Sequence, residues 1–84
     1  MPKYTAHALA RILERGISKH EVEQSLADPI DTRIMRNGRT AACSRPKGGR
    51  CLIVIFEQTD EDLIVVTALK VSSERAKRYG FTGV

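Results

Sequence analysis

Cysteine is scarce, with only Cys43 and Cys51 in 84 residues. No Cys-x-x-Cys occurs, and His7 and His20 form no His-x-x-x-His pair. A zinc-type centre therefore has no ligand set, and no metal or other cofactor is expected. The opening Met1-Pro2-Lys3-Tyr4 begins no apolar leader, and no apolar run approaches the length that crosses a bilayer. A reducing cytoplasm is the default location, with no membrane partner. Gly48-Gly49 lacks the following Gly-Lys-Ser/Thr of a nucleotide-phosphate loop, which leaves it a turn. Acidic residues are absent from the whole of residues 32–56, where Arg33, Arg36, Arg39, Arg45, Lys47 and Arg50 all fall. With a formal charge of +4 and a pI near 9.4, that block suits phosphate contact, its alternative being a solvated surface that keeps the protein soluble. The length allows a single domain over residues 1–84. A chain of this size buries only about 60–65% of its unfolded surface and has little room for a deep pocket.

What the sequence does have is a pair of apolar runs, Cys51-Leu52-Ile53-Val54-Ile55-Phe56 and Leu63-Ile64-Val65-Val66-Thr67-Ala68-Leu69. Both are β-branched and too short for ordinary helices, so they read as central strands covered on both faces. The acidic loop over residues 57–62 lets them pair as a hairpin.

Ahead of them, Thr5 caps a first helix that runs to about Arg15, with Gly16 as its stop. Leu9, Ile12 and Leu13 share its apolar stripe, and His7, Arg11, Glu14 and Arg15 the opposite side. Ser18-Lys19-His20-Glu21 is a capping box, flanked by the Ile17/Val22 staple, and starts a second helix that Asp28-Pro29 ends. Asn37-Gly38 between residues 30–36 and 39–44 predicts a two-residue hairpin in which Arg36 faces Arg39, Ile34 faces Ala41 and Thr32 faces Cys43. Ser44 facing Cys51 and Phe56 facing Leu63 complete the register. Ser72-Ser73 opens a short third helix over residues 74–79, stopped by Gly80.

The expected fold is α+β: two N-terminal helices on a four-stranded antiparallel meander, then a short C-terminal helix. The register places Ile34, Ala41, Cys43, Leu52, Val54, Phe56, Leu63, Val65, Thr67 and Leu69 under the two helices. The other face has Ile53, Ile55, Ile64 and Val66 at its centre, with Arg33, Thr40, Ser44 and Lys70 on the rim. The third helix, basic through Arg75, Lys77 and Arg78, can cover that face; left open, the patch favours a homodimer or a partner protein. Cys43 and Cys51 point to opposite faces in this register and do not bond.

His7-Ala8 with Arg11, Arg15-Gly16-Ile17-Ser18, Asp28-Pro29, Gly48-Gly49-Arg50 and Val66-Thr67-Ala68 together resemble the bacterial domain-of-unknown-function family 4258, over about residues 7–69. The C-terminal half, with Thr67-Ala68, Ser72, Glu74-Arg75 and Tyr79, is similar to BrnT-type toxins of the RelE/ParE-like group. That resemblance implies a metal-independent endoribonuclease held by a cognate antitoxin. Leu69 stands where that family has a strand arginine, which makes neighbouring Lys70 the substitute candidate.

Cleavage of RNA without metal needs a base for the 2′-hydroxyl, charge stabilisation at phosphorus and a proton for the leaving oxygen. The candidates are His7 as base, with Arg15 and Lys70 beside it. Phosphate contacts are expected from Arg11, Arg33, Arg36, Arg39, Arg45, Lys47, Arg50, Arg75 and Arg78. The competing reading is a non-catalytic module that uses the same arginines to bind nucleic acid or an acidic protein.

Overall fold

A computed structural model describes residues 1–84, in the order β1 (Lys3–Tyr4), α1 (Ala6–Glu14), α2 (Lys19–Ala27), β2 (Asp31–Ile34), β3 (Thr40–Cys43), β4 (Arg50–Gln58), β5 (Leu63–Ser72) and α3 (Ser73–Arg78). The helix ends follow from their caps. The Thr5 hydroxyl accepts from the Ala8 N–H at 3.0 Å. At the other end of α1, Gly16 N–H donates to Leu13 O and Ile17 N–H to Ile12 O, a Schellman closure that brings Ile17 back over Ile12. The capping box of α2 is complete, with Glu21 N–H on Ser18 Oγ and Ser18 N–H on Glu21 Oε1, each at 3.1 Å. Ser72 caps α3 through the Arg75 N–H, and Gly80 and Phe81 close it on Lys77 and Ala76. Gly80, at φ 97°, lies against the Arg33 guanidinium, where an added Cβ would fall 1.7 Å from Nη1. Glycine is needed there for its backbone conformation, since the exposed Arg33 side chain can swing aside for a Cβ.

The class is α+β with three helices, but the sheet is five-stranded and mixed, in the order β1-β5-β4-β3-β2. β2 to β5 run antiparallel in succession, and β1 adds a parallel pairing, Lys3 to Ile64 and Tyr4 to Val65. Two residues carry no periodicity, so nothing in the local pattern marks β1 as a strand.

Three registers differ from expectation. The first hairpin closes with Met35 N–H on Arg39 O and Gly38 N–H on Met35 O. Gly38 alone takes positive φ, 81°, and Asn37 does not. This is the three-residue loop with a glycine bulge rather than the two-residue turn, so Ile34 opposes Thr40 and Arg36 does not face Arg39. Between β3 and β4, Gly48 and Gly49 form a tight turn with Lys47 and Arg50 exchanging hydrogen bonds. Pro46 has no N–H to pair, and Cys43 ends opposite Ile53. On β5, Thr67 opposes Ile55 and Val65 opposes Phe56, which leaves Val66 as the extra residue of a β-bulge.

These shifts redistribute the faces. Ala8, Ile12, Ile17 and Val22 pack on Leu52, Val54, Val65 and Ala68 beneath α1 and α2. Leu13 stays outside, 82% exposed, because Ile17 after the Schellman turn occupies the core beside Ile12. Ala41 and Cys43 lie on the second face with Cys51, Ile53, Val71, Ala76 and Phe81, so α3 and the residue after its stop supply the cover. Beyond the bulge, Thr67 and Leu69 leave the helix face and Lys70 joins it, opposite Leu52. Cys43 and Cys51 therefore share a face, both as buried free thiols.

The chain past α3 is tied down by Asp31, whose carboxylate accepts from Thr82 N–H at 2.9 Å and the Thr82 hydroxyl at 3.4 Å. The Thr82 N–H is the main reason that the Asp31 carboxyl is held below its ordinary range.

Candidate nucleic-acid interface

The end of α1, the start of β4, the end of β5 and α3 meet at one corner of the sheet. A groove of about 470 Å³ there is lined by Arg15, Arg50, Lys70 and Arg75, with Leu69 and Val71 as its apolar part. No carboxylate lines it. Arg15 is fixed by donating to Ala68 O at 2.8 Å and, more weakly, to Thr67 Oγ1 at 3.4 Å. It thereby also satisfies a carbonyl of β5 beyond the short β1 pairing. Arg50 and Arg75 have no carboxylate within ion-pair distance. The Arg75 guanidinium lies 5.9 Å from the ring centre of Tyr79, which is 47% exposed. A guanidinium beside an accessible aromatic is an arrangement that holds phosphate and stacks a base.

Arg50 and Lys70 also line a larger groove, about 730 Å³, between α2 and the turn from β3 to β4. Its turn wall carries Arg45, Lys47 and Pro46, its α2 wall His20, Glu21, Gln24 and Asp28, and its floor Ser25, Cys51 and Leu52. Lys70 Nζ is 2.9 Å from Glu21 Oε2, and Arg45 Nε 3.3 Å from Asp28 Oδ2. The Lys70 ammonium, with the Ser18 N–H behind it, holds the Glu21 carboxyl below its ordinary range. Exposed pairs of this kind are weak, so an incoming phosphate competes with Glu21 for Lys70 at little cost. Glu21→Gln keeps the capping box, which glutamine also closes, and releases Lys70. It is expected to raise affinity for an RNA ligand up to about fivefold, the equivalent of about 1 kcal/mol for an exposed pair. A titration at fixed salt checks this, and unchanged affinity would show that Lys70 makes no phosphate contact.

Of the residues expected from sequence, Arg15, Lys70, Arg50 and Arg75 come together, and Arg45 and Lys47 adjoin them. The others do not. His7 sits in the first turn of α1, about 12 Å along the helix from Arg15, and lines neither groove. Arg11 pairs with Glu14 at 2.7 Å on the surface of α1. Arg39 pairs with Glu57 at 2.9 Å, and Arg36 sits in the turn beside it. That turn lies beyond the far end of β3, about 13 Å from the grooves at 3.3 Å per residue. Arg33 is packed over Gly80 on the second face. Arg78 is exposed at the end of α3 and lines neither groove. His20 and Gln24 were not among the expected residues. Their signal is the one-turn spacing of 20, 24 and 28, a polar row that a search for apolar stripes passes over.

No helix is long and apolar enough to cross a membrane. Neither the curated proteins nor the solved structures contain a match to this chain. A family sequence model, described as Domain of unknown function (DUF4258), matches residues 4–76 and takes in the second residue of β1, α1, α2, β2 to β5 and the first turn of α3. That span includes every residue lining the two grooves, and by it the chain belongs to the DUF4258 family.

Proposed function

We propose that this protein binds single-stranded RNA along its two joined grooves, with the phosphate backbone held by Arg15, Arg50, Lys70 and Arg75. The observation that carries the reading is the meeting of these four cations, from four separate segments, in one groove, three of them (Arg15, Arg50 and Arg75) with no carboxylate within ion-pair distance and Lys70 held by the exposed Glu21 pair. Like charges gathered at one place repel in the free protein, and a bound phosphate removes that repulsion.

A second reading is the metal-independent endoribonuclease, of the toxin type that the C-terminal residues resemble, with an acidic antitoxin covering the basic corner. It is favoured by His20, which lines the same groove as Lys70 and Arg50. In this reading His20 replaces His7 as the base for the 2′-hydroxyl, and Lys70 and Arg50 stabilise the pentavalent phosphate.

Incubation of the purified protein with RNA in EDTA tests both. A mobility shift that weakens steeply with salt and leaves the RNA intact is the expected result for the binding module. Cleavage that disappears in His20→Ala and Lys70→Ala would make the protein the enzyme. Intact RNA with no shift would overturn both and leave a protein-binding domain.

A further inference from the structure

The sheet carries opposite charge at its two ends. Arg15, Arg50, Lys70 and Arg75 gather where β4 begins. Where β4 ends, the loop to β5 presents Asp60 and Glu61. Every side-chain carboxylate of the protein is engaged by another residue except Asp60, Glu61 and Glu74. Glu74 lies in the first turn of α3, where the helix dipole favours a carboxylate. Asp60 and Glu61 have no such role and stand exposed at the loop tip. We infer that this tip is a ligand for the cationic groove of a second copy of the chain, so that the protein self-associates loop to groove. The contact needs no RNA and goes beyond the reading above, although it uses the same cations.

The tip is ordered before it meets a partner. Thr59 N–H donates to Asp62 O at 2.8 Å, and Asp62 N–H to Thr59 Oγ1 at 2.9 Å. Gln58 Nε2 donates to the Thr59 and Asp62 carbonyls, each at 3.1 Å, and Lys3 Nζ holds the Asp62 carboxylate at 3.2 Å. The flanking polar groups are thus satisfied within the chain, and only the two residues between Thr59 and Asp62 remain to bind elsewhere. Docking a preformed tip costs little conformational entropy. The groove offers what the tip lacks, since Arg50 and Arg75 have no carboxylate within ion-pair distance, and a guanidinium with a carboxylate makes the stronger kind of hydrogen bond. A copy cannot serve itself, because β4 separates its loop from its groove by about 26 Å at 3.3 Å per residue. The partner is therefore another chain. The overall charge of +4 on each copy opposes the contact and keeps it weak and reversible. Tip and phosphate compete for the same guanidiniums, so RNA disperses the assembly.

The test is analytical ultracentrifugation of the full chain without RNA. At low salt the average mass of the wild type is expected to rise with protein concentration, and to return to that of the monomer as salt is added. Asp60→Asn/Glu61→Gln should weaken the association by about fivefold to 25-fold, at up to about fivefold for each exposed pair lost. Neither side chain has a partner in its own chain, so that variant keeps its fold. It retains a working groove, whereas Arg50→Ala/Arg75→Ala retains a working loop. Mixed, the two variants should pair more tightly than either does with itself, and stop at two chains because both remaining ends are disabled. A wild type that stays monomeric up to about 1 mM protein would overturn the inference, as would a loop variant that associates like the wild type or a mixture that pairs no better than its parts. A 2′-O-methyl single-stranded RNA, added last, keeps the two readings apart. RNA binding by a strictly monomeric wild type would overturn self-association and leave the RNA-binding reading intact. Loop-dependent association with no RNA binding would do the reverse.

Discussion

Alanine at both Arg50 and Arg75 is expected to lower affinity for single-stranded RNA on the order of 100-fold or more. Each is an unpaired guanidinium in the cationic groove, and a charge-assisted contact is worth about 1.5–3 kcal/mol. The plot of log affinity against log salt should flatten by about 1.4, since each phosphate neutralised on a single strand contributes about 0.7. Both side chains are exposed, so thermal unfolding should be little changed. Arg36→Ala/Arg39→Ala is the matched control with the same change of charge. Arg39 is engaged by Glu57 at 2.9 Å, and the pair sits at the other end of β3. If the two double variants lost affinity equally, net charge and not the groove would be the cause.

Stability should fall steeply in alkali. The Cys43 thiol, fully buried, is pushed up from 9.0 to about 12, first by burial and then by the neighbouring Cys51 thiol. The Tyr4 phenol is pushed up from 10.0 to about 12, by burial and by its hydrogen bond to Glu23. Both groups are neutral when protonated. Between the ordinary and the raised values the folded chain holds protons that the unfolded chain has released, so unfolding becomes more favourable as pH rises. The contribution is complete below pH 9 and is lost on the way to pH 12. Cys43 alone gives a slope of about 1.4 kcal/mol per pH unit once the unfolded thiol has ionised. The total for a chain of this length is only about 4–13 kcal/mol at 0.05–0.15 per residue. Denaturant midpoints measured from pH 8 to 11 should drop accordingly. In Cys43→Ala the early part of that drop, near pH 9–10, should vanish whatever the starting stability. Parallel curves for the two proteins would remove Cys43 as its cause.

The signals that read correctly from sequence were local and redundant. Ser18 with Glu21, Gly16 followed by Ile17, and Gly80 after Ser72 each name a cap whose hydrogen bonds form within a few residues. The two central strands were equally plain. Register was harder, because it is set by single residues. A two-residue and a three-residue loop are both compatible with Asn37-Gly38, and they differ by one step in every pair that follows. In the run over residues 63–69 nearly every side chain is apolar, so no alternation exposes an extra residue within it. The groove was the least legible. It joins positions 15, 50, 70 and 75, which no local period relates. The acid-free block over residues 32–56 drew attention to Arg36 and Arg39, which lie elsewhere, and only Arg45, Lys47 and Arg50 of that block reach the site.

The bulge at Val66 decides on which surface Lys70 emerges, because every residue of β5 after it is turned over relative to plain alternation. In evolutionary comparison, position along the chain is then a poor guide to chemical equivalence on this strand. A relative that lacks the extra residue would present its corresponding cation one place nearer the start of the strand, and an ungapped alignment would pair Lys70 with a side chain on the opposite surface. Placing the gap at Val66 first, and asking afterwards which residue faces Leu52, keeps the comparison on the same wall of the groove.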